Sequence, residues 1–122
     1  MRVLSGEQVL VRIFTGESAK WHHEPLHLAL LARLRKEGFA GATVFHGIAG
    51  FGARSVLHTT HLLRLSEDLP IVIEVVDTAE HVERLTLILD EMVTEGLVTM
   101  EKVRVLKYAA GTRPLDPLAD KR

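Results

Sequence analysis

Three glycines and an arginine make up the most usable chemistry in the chain. Gly47, Gly50 and Gly52 crowd into the run Gly47-Ile48-Ala49-Gly50-Phe51-Gly52-Ala53-Arg54-Ser55. Lacking Cβ atoms, such a run leaves backbone N–H groups approachable, and the planar guanidinium of Arg54 suits a carboxylate or a phosphate. The chemistry implied is capture of a small anion. The run matches neither G-x-x-x-x-G-K-[ST] nor G-x-G-x-x-G, so neither a P-loop nor a dinucleotide turn is expected. A merely flexible connection has the same composition.

The other candidates are weaker. Seven histidines invite a metal reading. His23 and His27 stand four apart, with Pro25 between them, and His58 and His61 stand three apart. A zinc site needs three or four convergent ligands, so only folding or assembly can complete one from these pairs. Ser55 and Ser66 have histidines nearby but no G-x-S-x-G elbow. The carboxylate pairs Glu67-Asp68 and Asp90-Glu91 read as a turn and a solvated helix face. No constellation meets the geometric roles of an enzyme site, so the expectation is a binding module; an enzyme of unknown reaction stands as an alternative.

Composition narrows the class. The 122 residues suit one core, and 47% of them are apolar, enough to fill it. Fifteen basic residues against sixteen acidic ones give a net charge of −1, which argues against a nucleic-acid binder. The absence of cysteine excludes disulfides, thiolate catalysis and thiolate metal sites. No apolar run approaches the ~18 residues of a membrane span, and the start lacks a signal-peptide core; a cytoplasmic address is expected.

Positioning these residues requires a frame. Gln8–Phe14 is β-branched and apolar and reads as a buried strand. A helix is predicted from about Pro25 to Glu37, with Gly38 as its C′ residue and Phe39 folding back on Leu34. Ala42–His46 reads as a strand and the glycine run as a loop, with Val56–Leu65 leaning towards strand. Pro70–Val76 is the clearest strand. Asp77 and Glu80 form a capping signal for a second helix, apolar at Val82, Leu85, Leu89, Met92 and Val93. Gly96 is expected to end it with Leu97 near Met92, and Lys102–Tyr108 to form the last strand. Residues 1–110 make the domain; 111–122, with two prolines and many charges, read as a disordered tail. The order β-α-β-β-α-β predicts an α+β, ferredoxin-like antiparallel split sheet with two helices on one face.

That arrangement leaves the other face open, yet the strands are apolar on both. Val9, Val11 and Ile13 oppose Leu10, Arg12 and Phe14; Ile71, Ile73 and Val75 oppose Val72, Glu74 and Val76. A sheet wetted on one side alternates apolar with polar. Exposed apolar area of this extent marks a contact surface, so self-association by sheet faces is expected. Arg12 and Glu74, isolated among apolar residues on neighbouring strands, are expected to pair.

The residues then resemble a known group. Arg12-Ile13-Phe14-Thr15-Gly16-Glu17-Ser18, Gly41-Ala42-Thr43-Val44, Gly47-Ile48-Ala49-Gly50-Phe51-Gly52 and the stretch from Leu62 to Asp77 are similar to the domain-of-unknown-function family 190, itself similar to the PII nitrogen-regulatory proteins. Leu89–Val93, Gly96-Leu97 and Glu101-Lys102-Val103 extend the likeness. The resemblance implies a homotrimer that binds a small anionic ligand, an adenine nucleotide above all, in clefts between subunits. It further implies that the loop after the second strand signals to a membrane or cytosolic protein target. It would place Gly47, Gly50, Phe51, Gly52 and Arg54 at the ligand, with Arg104 and Lys107 reaching phosphate from a neighbouring subunit. Two departures stand out: Gly96–Met100 has no Gly- and Lys-rich phosphate loop, and the signalling loop has no tyrosine, Tyr108 being the only one in the chain. They favour a smaller nucleotide or another anion over a triphosphate. His46 stands where a basic arginine is expected, which would make anion affinity pH-tuned.

Overall fold

The computed structural model describes residues 3–52 and 68–111. Its elements are β1 (Gly6–Gly16), β2 (Lys20–Trp21), β3 (Glu24–Pro25), α1 (Leu26–Lys36), β4 (Thr43–His46), β5 (Pro70–Asp77), α2 (Ala79–Met92) and β6 (Leu97–Val105). Four strands form one sheet in the order β4-β5-β1-β6, every pair antiparallel. This is the α+β, ferredoxin-like frame expected from the sequence. The predicted strand at 56–65 and the predicted tail beyond Gly111 lie outside the described residues.

Alternation decides which side is closed. On β5, Ile71, Ile73, Val75 and Asp77 are buried while their even-numbered neighbours are half-buried. Val11 and Ile13 of β1 join them in a core with Leu26, Leu30 and Leu34 of α1 and Val82, Leu85 and Leu89 of α2. Both helices therefore lie against one face.

Helix α1 ends as its sequence implies. Gly38 has φ 83°, the left-handed conformation a C′ residue needs, and the amides of Gly38 and Phe39 donate to the carbonyls of Arg35 and Leu34 at 3.2 and 3.1 Å. Its start differs slightly from expectation. Pro25 sits at the N-cap, and before it β2 and β3 form a hairpin whose two-residue loop, His22-His23, has φ 47° and 71°. Positive φ at both loop positions is the geometry of a type I′ turn.

Helix α2 and the strand after it correct several expectations. Its cap is Thr78, whose side chain accepts from the His81 amide at 3.2 Å. Asp77, expected to cap, is fully buried and accepts from the amides of Thr78 (2.7 Å) and Ala40 (2.8 Å). It ties the end of β5 to the loop after α1, because a buried carboxylate must be hydrogen-bonded. The helix closes at Val93, not Gly96. Gly96 answers to a different constraint: a Cβ there would lie 2.5 Å from the Phe14 carbonyl oxygen. Residues 97–100, read as a connection, are the first half of β6, and Lys107 falls beyond the strand's end.

Candidate functional site

The predicted ligand loop rises from one end of the sheet, where β1 ends and β5 begins. Gly47 donates its amide to the Pro70 carbonyl at 2.7 Å, and a Cβ on Gly47 or Gly50 would lie 3.1 or 2.8 Å from Pro70 Cγ. Close packing on Pro70 thus excludes a Cβ at Gly50 and leaves little room for one at Gly47, whose amide is already committed. His46 places Nε2 2.6 Å from Glu17 Oε2. Ser18 donates its amide and its hydroxyl to Asp68 Oδ1 at 3.1 and 2.9 Å, and Glu17 donates its amide to the Leu69 carbonyl. A Cβ on Gly16 would meet Asp68 Oδ1 at 2.5 Å. The loop's base is therefore clamped to the end of β1 through Gly16, Glu17 and Ser18, which the sequence marks only as part of the family resemblance, and Asp68, which it marks only as half of a carboxylate pair in a turn. Ile48 and Phe51 project into solvent, 88% and 74% exposed. Arg54 lies outside the described residues.

Arg104 and Lys107 sit at the other end. Arg104 aligns with Glu7 on β1, whereas the loop base aligns with Gly16. Those nine residues of strand span ~30 Å. Neither cation has an ion-pair partner among the described residues. One chain does not bring them to the loop.

Beside them the open face holds a cavity of about 340 Å³, lined by Leu4, Ala40, Gly41, Ala42, Thr43, Glu74, Val76, Val105 and Tyr108. Tyr108 closes one side by donating its hydroxyl to the Ala40 carbonyl at 3.2 Å. Asp77 holds the amide of the same residue, so the cavity wall is fixed from both directions. The cavity was missed in the sequence because residues from four separate segments line it; the nearest signal was the Gly41-Ala42-Thr43 run.

On that face Arg12 and Glu74 do pair, Nε to Oε2 at 2.8 Å, as expected, and Arg12 Nη1 also reaches Glu101 Oε1 at 2.8 Å. The hydrogen bond that Arg12 donates to Glu74, then that to Glu101, raises the Arg12 pKa and holds it charged.

The metal alternative gathers little. Among the described residues no three His, Asp or Glu side chains converge. His23 is on the hairpin loop and His27 in the first turn of α1, with its Nδ1 buried and unpartnered. His58 and His61 lie outside the described residues. Likewise, no helix among those residues is long and apolar enough to cross a membrane.

The sheet order and the mid-chain loop define a small α+β protein of ferredoxin-like topology. Within that class, the chain belongs to the domain-of-unknown-function family 190, described as Uncharacterized ACR, whose model matches residues 8–105. It is similar to a UPF0166 protein of Aquifex aeolicus, 37% identical over 108 residues that cover 87% of this chain and 98% of the relative. It is also similar to a UPF0166 protein of Methanocaldococcus jannaschii, 34% identical over 99 residues covering 80% and 91%. A second Aquifex aeolicus UPF0166 protein is 31% identical over 99 residues, covering 81% and 97%.

Proposed function

We propose that this chain is a PII-like regulatory protein that assembles as a homotrimer and binds a small anionic ligand, an adenine nucleotide in the first instance, in clefts between copies. The loop that leaves β4 then reports occupancy to a protein target through Ile48 and Phe51. The observation that carries this reading is the division of the site between the two ends of the sheet. At one end is a cavity of about 340 Å³, within the ~300–1,000 Å³ typical of small-ligand sites, with Arg104 and Lys107 next in sequence to its lining residues Val105 and Tyr108. At the other end, ~30 Å away, is the clamped loop base. A small ligand bridges both only if a second copy brings its loop to the first copy's cavity.

The lining suits a planar base: apolar walls from Leu4, Val76 and Val105, a ring from Tyr108, and the Thr43 hydroxyl and Glu74 carboxylate as acceptors for an amino group. The test is thermal stability of the full chain against a panel of adenine nucleotides and divalent metals. A ligand at ~100 times its dissociation constant adds about 2.7 kcal/mol. A rise with a nucleotide is expected, lost in Lys107→Ala and in Gly41→Val. The second is a clean block, since a Cβ at Gly41 meets nothing within 4 Å. A rise with metal alone promotes the histidine reading, and a flat panel removes the nucleotide.

A further inference from the structure

Three strands share one chain of charge on the open face. Arg12 stands directly across from Glu74 and bonds it at 2.8 Å, and bonds Glu101 of β6 at the same distance. One guanidinium between two carboxylates leaves one negative charge in surplus, set among Leu10, Phe14, Val72 and Val76. In the single chain water solvates it: the side chains of Arg12, Glu74 and Glu101 are 38%, 32% and 57% exposed. Covering that face with another copy strips the water away, and a surplus carboxylate then needs a cation.

A suitable cation lies three residues further along the same strand. Glu101 aligns with Leu10 and so belongs to the open face, whereas Arg104 aligns with Glu7 and belongs to the opposite one. Arg104 is exposed, and Glu7 across from it is engaged instead by Lys102 at 3.6 Å. Among the described residues β6 is also an edge strand, with β1 as its neighbour in the sheet. Its two sides thus carry the two halves of a head-to-tail contact: a surplus carboxylate on one and a spare guanidinium on the other. Repeated, such a contact closes a ring in which every copy uses each half once. A two-fold packing of open face on open face gathers surplus carboxylates on both sides of the contact and leaves Arg104 out of it.

We infer that copies of this chain associate head to tail over the open face, with the surplus carboxylate of the Arg12–Glu74–Glu101 chain taken up by Arg104 of the next copy. The inference rests on the trimer reading above, and it divides the two cations, Arg104 to the interface and Lys107 to the ligand. Sedimentation equilibrium of the full chain tests it, using wild type, Glu101→Gln, Arg104→Gln, the double variant and the swap Glu101→Lys with Arg104→Glu. Close interfacial charge pairs couple strongly, so each single change is expected to weaken assembly about tenfold or more. The double variant is then expected to be no weaker than either single one, and the swap to recover most of the loss. Both residues are exposed, and thermal unfolding of the variants confirms that the chain still folds. If wild type assembles but Glu101→Gln is as tight or tighter, or the two single effects multiply, the pairing is wrong while the assembly stands. A wild-type monomer overturns both.

Discussion

The two faces of β1 and β5 are alike in hydrophobicity and unlike in surroundings. Val11, Ile13, Ile71, Ile73 and Val75 are at most 2% exposed beneath the helices. Phe14, Val72 and Val76 are half-buried on the other side, and Phe45 at the β4 edge is 50% exposed. Apolar side chains on the first face are accounted for by the fold. On the second, Leu10 is buried but Phe14, Val72 and Val76 are not fully covered by any described residue, and an apolar face left open in this way is what the proposed assembly would cover. Arg12, Glu74 and Glu101 all lie on that second side.

The largest effects come from treating the two faces identically. Leu85→Ala empties a site with no exposure and is expected to cost about 2–5 kcal/mol in denaturant unfolding. Phe45→Ala, measured at dilutions where single chains prevail, is expected to change stability by no more than ~0.5 kcal/mol while weakening assembly. Equal losses at the two positions would erase the distinction between the faces.

Two glycines give a smaller contrast. Gly38 has φ 83° with open space around it, so Gly38→Ala is expected to cost about 1 kcal/mol, from conformation alone. Gly96 has φ 145° and also faces the Phe14 carbonyl, so Gly96→Ala has to move backbone where β6 meets β1 and is expected to cost more. Chemical denaturation of both variants checks the order.

These same residues mark what the sequence disclosed. Gly38 and Phe39 were legible because a Schellman ending is local: the signal and its partner Leu34 lie within one turn of helix. Gly96 was misread as the end of α2, since the atom that dictates glycine there belongs to Phe14, on another strand. Asp77 was misread as a cap for a similar reason, because the amide that claims its carboxylate belongs to Ala40. β6 starts earlier than expected because Leu97, Val98 and Met100 are all exposed and show no alternation of buried and polar. Of the site, the loop glycines were found by composition, but their engagement with Pro70 and the clamp through Glu17, Ser18 and Asp68 required the fold. The cavity's nearest sequence signal was the Gly41-Ala42-Thr43 run, and its other walls come from distant segments.

The smallest effect concerns pH, on the helical side. The hydrogen bond from Arg33, aided by Arg84, lowers the Glu37 pKa below the ordinary carboxylate range. A carboxyl depressed in the folded state contributes stability above its unfolded pKa, and that contribution disappears as pH falls through the folded value. Arg33→Gln is therefore expected to lower stability slightly at neutral pH, to leave it nearly unchanged in strong acid, and so to flatten the acid limb of a stability–pH curve. A steeper acid limb would contradict the assignment.

The most direct test of the account is the mass of the full chain by light scattering over a dilution series. The proposed homotrimer predicts a particle of three times the 13.6 kDa chain, dissociating on dilution. A mass of 13.6 kDa at every concentration would mean that the open face serves no copy of this chain, and that the two ends of the site never meet.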